Sequence, residues 1–490
     1  MQALMSPQAT MRSGLTGGRP SIVFSPALIQ LTFDYVASSY APPKVTRTDV
    51  SSHERLYPPN EVKLKKCFAS FSLVCKGWRA LAQSYLYDTL ALRFTFAQLP
   101  KQRTLQRILE WQRTNPSLVA HVHHLRLTMS EPFFKVVPTS GCEPKELRQV
   151  IRGFAATNLH SIKLCDMRFD LELVKVYLRE IDQDVARLPL FNTKRLEFYH
   201  SSSDHPLTSD AVQIPLLWFA DVGEVIIHTE YSDMWFVRQT VDQDYGQQLV
   251  PADLKTPSLT MTTGKLPESL IQSLRASPTF QEGVLQKLNV EVDLEGQPVT
   301  EKLFIPPPPG LSKLHLDLSF WLRSEEYPCT LSIYLVSTRS SNSHLSSSPV
   351  FVDTEAPLPI TAISLKQLVI KVPSPPIKGF RLLTYHSLFR HIRHKILPMF
   401  NARKFRLVIC MNVRSSNVHG NFDCSDSSKE LALKNVPVNL LEDAVLGMPA
   451  FRTFSMKIEK RGRLVRLLES QKSEVRQRLP VMSERGLLRL

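Results

Sequence analysis

The sequence lacks several features that would assign it to a familiar class of protein. Among its 490 residues, no uncharged apolar run approaches the ~20 residues that a membrane-spanning helix requires. Residues 1–25 contain no continuous apolar segment of the kind that directs secretion. We therefore predict no membrane span, and we interpret residues 1–20 as a flexible leader.

Motifs for catalysis and cofactor binding are missing as well. There is no glycine-rich phosphate-binding loop, no Gly-x-Ser-x-Gly elbow and no zincin helix. Three histidines lie within residues 386–394, but the neighbouring Arg and Lys would repel a metal ion. His121, His123 and His124 have no paired Cys-x-x-Cys to complete a zinc site. We predict no catalytic residues, no metal and no cofactor.

Acidic residues are scarce relative to basic ones. The sequence has 60 Lys and Arg against 45 Asp and Glu, which gives a formal charge of +15. Such a balance attracts acidic proteins, nucleic acids or anionic membrane surfaces. Because no aromatic-interleaved basic motif accompanies the charge, we rank nucleic acid below an acidic protein partner or simple solubility. The seven cysteines form no disulfide framework, which predicts the cytoplasm or the nucleus.

Two helices are predicted near the N-terminus. In residues 64–92, Leu64, Phe68, Phe71 and Trp78 recur at helical spacing, which predicts one helix that buries one stripe. A shorter amphipathic helix is predicted upstream, with Pro26 in its first turn, where proline is tolerated. Its apolar residues are Leu28, Leu31, Phe33 and Val36. The proline-containing residues 40–60 between the two helices are interpreted as an insertion, since loop closure entropy grows slowly with length.

These two segments resemble the two halves of an F-box. The run SLVCKGWRALAQSYLYDTL contains a Val-Cys-x-x-Trp core followed by a Leu-Tyr pair, as family members do. The run FSPALI stands where the family usually has Leu-Pro-Pro-Glu-Leu-Leu, with Ser25 and Ala27 departing from that pattern. The resemblance implies a helical box over residues 21–98.

The resemblance also implies a function. F-box proteins are non-catalytic substrate-recognition adaptors of SCF-type cullin–RING ubiquitin ligases, and their box binds a small linker protein and, through it, a cullin. Some matching positions must pack the box itself, and the sequence does not separate the two sets. Trp78 is the strongest single candidate for an anchor. The matching positions are Pro26, Leu28, Ile29, Leu31, Val74, Cys75 and Trp78.

The remaining chain alternates short strand patterns with helical patterns. Most strand patterns start roughly 25 to 40 residues apart, a spacing typical of stacked repeats. Such alternation predicts a parallel sheet, either closed or doubly wound or in a solenoid. The strand patterns start at residues 122, 161, 194, 223, 257, 285, 311, 330, 365, 403 and 451, and helical patterns lie at 105–115, 171–181, 268–274 and 438–445.

These patterns predict an α+β protein in which a small helical F-box precedes an irregular α/β solenoid. Residues 99–456 resemble degenerate leucine-rich repeats and would form the substrate-recognition domain. Residues 457–490 are predicted to form a basic capping helix or tail.

Alternate strand residues of such a domain would face a substrate. Their mixed but mainly basic character favours an acidic or phosphorylated protein segment. The candidates are Arg126, Lys163, Glu197, His228, His315 and Lys371. Two alternatives stay open: a repeat scaffold with no ubiquitin role, and a basic nucleic-acid- or phospholipid-binding protein.

Overall fold

The fold is taken from a computed structural model, which describes residues 26–40, 59–95, 102–130, 142–156, 159–169, 171–183, 190–200, 210–229, 249–262, 268–291, 308–318, 362–373, 381–411, 435–460 and 463–490. Over these residues the protein is mixed α/β, with 14 α-helices and a 12-stranded, mostly parallel sheet. No helix in these ranges is long and apolar enough to cross a membrane.

The first three helices form a unit that we call the N-terminal bundle. It consists of α1 (Pro26–Tyr40), α2 (Pro59–Phe71) and α3 (Lys76–Asp88). The bundle has its own hydrophobic core, separate from that of the sheet, in which Phe33, Phe68 and Ala82 are fully buried. The predicted insertion between α1 and α2 lies almost wholly outside the described residues.

The prediction of one helix over residues 64–92 is wrong. α2 ends at Phe71, a turn spans residues 72–75, and the chain leaves α3 at Asp88 to enter a strand. In the turn, the Ser72 hydroxyl donates to the Ala69 carbonyl oxygen at 2.6 Å. Such a local bond competes with the continuation of the helix. Cys75 then takes an extended conformation with φ −161° before α3.

The strands that the structure describes begin directly after the bundle and recur to near the end of the chain. They are β1 (Thr89–Thr95), β2 (His124–Ser130), β3 (Ser161–Cys165), β4 (Phe191–His200), β5 (Phe219–Thr229), β6 (Ser258–Thr262), β7 (Lys287–Glu291), β8 (Lys313–Asp317), β9 (Ile363–Leu365), β10 (Gln367–Pro373), β11 (Phe400–Ala402), β12 (Lys404–Met411), β13 (Thr453–Lys460) and β14 (Arg463–Val465). The predicted strand positions are confirmed, except that the pattern at residue 330 lies outside the described residues.

Helices separate many of these strands. They are α4 (Gln102–Thr114), α5 (Pro116–Val119), α6 (Pro144–Ala155), α7 (Leu171–Gln183), α8 (Asp210–Leu216), α9 (Glu268–Ala276), α10 (Pro278–Gln281), α11 (Arg381–His391), α12 (Asn439–Leu446), α13 (Glu469–Arg478) and α14 (Pro480–Glu484). The predicted helices at 105–115, 171–181, 268–274 and 438–445 correspond to α4, α7, α9 and α12. The predicted alternation of strand and helix is therefore confirmed.

Strand order in the large sheet follows the order of the chain. The order is β1 to β8, then β10, β12, β13 and β14, while β9 and β11 pair with each other. All these pairs are parallel except β13 with β14. A doubly wound sheet would instead change direction at an internal strand.

One side of the large sheet carries the main core. Alternate strand residues such as Leu125 and Leu127 are buried there together with Phe154 of α6 and Tyr177 of α7. Trp218, also buried, donates its indole N–H to the Tyr177 hydroxyl at 2.9 Å. The opposite side carries Arg126, Lys163 and Glu197, and we call it the polar face.

The C-terminal segment is not one helix. The boundary predicted at residue 457 falls inside β13, and β14, α13 and α14 follow it. Leu464 lies in β14 and is exposed, whereas Val475 of α13 is buried. The end of the chain returns to β13, because the backbone N–H of Phe454 donates to the carbonyl oxygen of Leu487 at 2.9 Å.

Candidate functional surfaces

The N-terminal bundle separates the predicted box positions into two sets. Leu28, Leu31, Val74 and Cys75 are exposed, and 65% of the Leu31 surface is accessible. Ile29, in contrast, packs against the bundle core. The remaining predicted position is Pro26, the first residue of α1, and its side chain is outside the part that the structure describes.

Trp78 belongs to the packed set. Its ring centroid lies 5.6 Å from that of Phe33 and 5.6 Å from that of Phe71, edge to face in both cases. These distances fall within the range of favourable aromatic pairs. Trp78 is half-buried and therefore stabilises the bundle by packing against its core, and the prediction that it is the strongest candidate for a partner anchor stays a prediction.

Exposed apolar side chains are grouped at two places on the described part of the bundle, and Val62 of α2 is exposed singly. Leu28, Leu31 and Tyr35 follow one another at intervals of three and four residues on α1, and we call them the α1 stripe. Leu73 and Val74 lie in the turn between α2 and α3, and 79% of the Leu73 surface is accessible. Exposed apolar residues that are grouped in this way are typical of docking sites.

Sequence reasoning missed Tyr35 and Leu73. The spacing from Leu28 to Leu31 and Tyr35 was a visible signal for Tyr35, since it marks a second helix face beside that of Phe33. Leu73 gave no signal, because its exposure depends on the break between α2 and α3.

Polar contacts join the bundle to the sheet. The Lys65 ammonium donates to the carbonyl oxygens of Leu86 and Thr89 at 2.7 and 2.8 Å. The Asp88 carboxylate lies 2.9 Å from Nδ1 of His123, which immediately precedes β2. Burial lowers the pKa of Lys65, an effect that nearby carboxylates partly oppose. The junction thus fixes the end of α3 against the first two strands.

Strand register places all six predicted substrate-binding residues on the polar face. Arg126, Lys163 and Glu197 are direct neighbours on β2, β3 and β4. His315 occupies the same row on β8. The other two, His228 and Lys371, lie two residues further along their strands than this row.

Carboxylates balance much of the positive charge at β3 and β4. Lys163 Nζ lies 3.4 Å from the Glu197 carboxylate and 4.9 Å above the centre of the Tyr199 ring. The Tyr199 ring in turn stacks on His228 at 4.8 Å. Arg195 pairs with Glu197 as well. This part of the polar face is therefore less basic than the strand residues alone suggested.

Lys371 is a buried structural residue. Its side chain is 13% exposed, and Nζ lies 3.1 Å from the Asp317 carboxylate and 3.0 Å from that of Glu459. Burial alone would lower the pKa of Lys371, but the two carboxylates raise it above its ordinary value. We therefore no longer assign Lys371 to a partner-binding surface, because its charge is already compensated inside the protein.

Histidines at the beginning of β2 and β3 lie close together, but the described residues around them do not form a metal site. The rings of His123 and His160 stack at 5.1 Å, and Nδ1 of His124 lies 2.7 Å from the Ser161 hydroxyl. Burial lowers the pKa of His124, an effect that the Asp88 carboxylate partly opposes. Over the ranges that the structure describes, no group of three or more His, Cys, Asp or Glu could hold a metal ion.

No family model matches the sequence, and no curated protein is significantly similar to it.

Proposed function

We propose that this protein is a non-catalytic substrate-recognition adaptor of an SCF-type ubiquitin ligase. The observation that carries the proposal is the N-terminal bundle, whose sequence resembles an F-box. This bundle packs Phe33, Phe68 and Trp78 into one core and leaves the α1 stripe and the turn residues Leu73 and Val74 exposed. Exposed apolar residues on a bundle with a separate core are what a protein-docking module requires.

The large sheet supports the proposed role in substrate recognition. Strands that follow the order of the chain, with helices between many of them, are the arrangement expected of irregular leucine-rich repeats. The polar face then offers a broad surface for a protein substrate. An acidic or phosphorylated segment fits the basic residues that remain accessible there.

In this proposal the protein acts by tethering. The bundle binds the linker protein, and the sheet holds the substrate, so that substrate lysines reach a high effective concentration near a ubiquitin-charged enzyme. No residue of the chain needs to contact the bond that forms. The polar junction at Lys65 and Asp88 supports this role, since it fixes the bundle to the sheet.

The test is co-purification of the full-length chain with the linker protein. The full chain is needed because β1, which follows α3 directly, pairs with β2 of the sheet. Leu31→Asp combined with Val74→Asp should abolish co-purification, because both side chains are exposed and would be buried in the complex.

A matched control replaces Leu464 and Leu468 by Asp, since these are exposed leucines near the other end of the chain. This variant should bind the linker protein as the wild type does. Failure of the wild type to bind at micromolar concentrations would refute the adaptor function and favour a scaffold without a ubiquitin role.

The substrate surface needs a separate test. Lys163→Glu should leave linker binding intact, because Lys163 lies on β3 and pairs with Glu197 of β4. The same variant should lose captured proteins in a proximity-labelling comparison with the wild type. An unchanged set of captured proteins would exclude this part of the polar face as the substrate site.

A further inference from the structure

A second basic surface lies where the later strands of the large sheet begin. Its six members begin β7, β8 and β12 or directly precede β10, β12 and β13. All six side chains are exposed. We call this surface the cationic ridge, and it consists of Lys287, Lys313, Lys366, Arg403, Lys404 and Arg452.

Register and backbone hydrogen bonds hold these positions at fixed spacing. Lys287 and Lys313 are direct register partners on β7 and β8. The backbone N–H of Lys404 donates to the carbonyl oxygen of Lys366 at 3.2 Å. The backbone N–H of Arg452 donates to the carbonyl oxygen of Arg403 at 2.9 Å. Adjacent strands lie about 4.8 Å apart. Lys287, Lys313 and Lys404 stand in one row of register partners, with Gln367 of β10 between the last two, and the other three members lie one residue earlier along their strands.

The ridge differs in its ion pairing from several basic residues of the earlier strands. Among the residues that the structure describes, no carboxylate forms an ion pair with any of its six members. In contrast, Arg195 on β4 pairs with Glu197. Lys255, which lies three residues before the start of β6, has its Nζ 3.6 Å from the Glu282 carboxylate.

Cations that have no ion pair among the described residues carry a cost for the folded chain. Like charges directly opposite each other on neighbouring strands destabilise a sheet, and Lys287 and Lys313 stand in that relation. Residues that lower the stability of the fold and form no compensating contact are typical of binding surfaces.

We propose that the cationic ridge binds an extended, Asp- and Glu-rich segment of a partner protein. An extended chain advances about 3.3 Å per residue, so a segment that crosses the strands can place a carboxylate near each cation of the row that Lys287, Lys313 and Lys404 form. Single-stranded nucleic acids fit less well, because their sites interleave exposed aromatic residues with basic ones. The aromatic residues Phe405 and Phe454 of these strands are buried in the core.

This surface lies where the strands begin, two residues before the predicted substrate residue His315 on β8, and it does not rest on the proposed function. An adaptor and a scaffold could both use it. In an adaptor, the ridge would place the acidic segment at the beginning of β7 to β13, away from Arg126 and Lys163 on β2 and β3.

The test measures binding of the full-length chain to a fluorescein-labelled glutamate-rich peptide by anisotropy. The ridge variant combines Lys287→Glu, Lys313→Glu and Lys404→Glu. Its affinity should fall roughly tenfold or more, since three attractive contacts become repulsive. Wild-type binding should also weaken as salt is raised.

The matched control combines Arg107→Glu, Arg152→Glu and Arg179→Glu. These arginines are exposed on α4, α6 and α7, and their replacement changes the net charge by the same amount. The control should keep its affinity within about twofold, because distant surface charges are screened. Equal losses in the two variants would overturn the proposal, since net charge would then explain the binding.

Two further measurements test whether a loss of binding could come from unfolding, and whether a different class of ligand binds more tightly than the peptide. Lys313→Glu alone should raise the melting temperature, because it turns the like-charge pair with Lys287 into an attractive one. A loss of peptide binding in this stable variant would support the ridge, and unchanged binding would count against it. Ridge-dependent binding to duplex DNA or to phosphatidylserine vesicles that is tighter than peptide binding would also overturn the proposal.

Discussion

Two substitutions on α1 test how the N-terminal bundle divides its apolar residues. Phe33 is fully buried, and its ring centroid lies 5.4 Å from that of Phe68 and 5.0 Å from that of Phe71. Phe33→Ala should therefore cost about 3–5 kcal/mol, the usual range for a buried phenylalanine. Leu31, only two residues away, is exposed, and Leu31→Ala should change stability by less than about 0.5 kcal/mol.

Hydrogen exchange followed by mass spectrometry measures this difference locally, without assuming that the whole chain unfolds in one step. In Phe33→Ala, the amides of α1 and α3 should exchange about 100-fold faster or more, since 1.4 kcal/mol corresponds to a factor of ten. In Leu31→Ala they should exchange at the wild-type rate, while linker binding weakens. Equal acceleration in the two variants would refute the division into buried and exposed residues.

Three other predictions concern the sheet and its histidines. Gly310→Ala should destabilise the chain, since its Cβ would clash with the Gly283 carbonyl oxygen; the control Gly77→Ala, with nothing within 4 Å of the new Cβ, should gain about 0.5–1 kcal/mol in thermal unfolding. Lys371→Met should cost about 3–5 kcal/mol in chemical unfolding, and neutralising its two carboxylate partners in the same variant should recover part of that loss. Burial lowers the pKa of His124, so the unfolded chain binds more protons below about pH 6.5, and the wild type should lose stability there while His124→Gln loses less.

The strand positions could be predicted because their signal is local. In segments such as residues 161–164 and 404–407, apolar residues alternate with polar ones, and each segment lies in the strand that its period of two indicates. The boundary between α3 and β1 could not be predicted in this way. Residues 89–92 continue the apolar character of α3, and their strand conformation depends on pairing with β2, about 35 residues further along the chain.

The binding surfaces were harder to predict than the fold. Periodicity placed Leu31 and Trp78 among apolar residues, but only packing shows that Trp78 contacts Phe33 and that Leu31 remains outside. The cationic ridge left no long basic run in the sequence. Its members are spread from residue 287 to residue 452, and parallel pairing of strands brings them together.

A last prediction concerns the junction between the bundle and the sheet. Lys65 donates to the carbonyl oxygens of Leu86 and Thr89, at the end of α3 and the start of β1. Lys65→Met keeps the length of the side chain but leaves both carbonyl oxygens without this donor, which typically costs about 1–3 kcal/mol. Amides near residues 86–89 should then exchange faster, while those of α1 keep the wild-type rate and linker binding is retained. If tethering requires a fixed bundle, ubiquitin transfer to a captured substrate should fall in the same variant. Equally fast exchange in α1 would instead show that Lys65 stabilises the bundle itself rather than its attachment to the sheet.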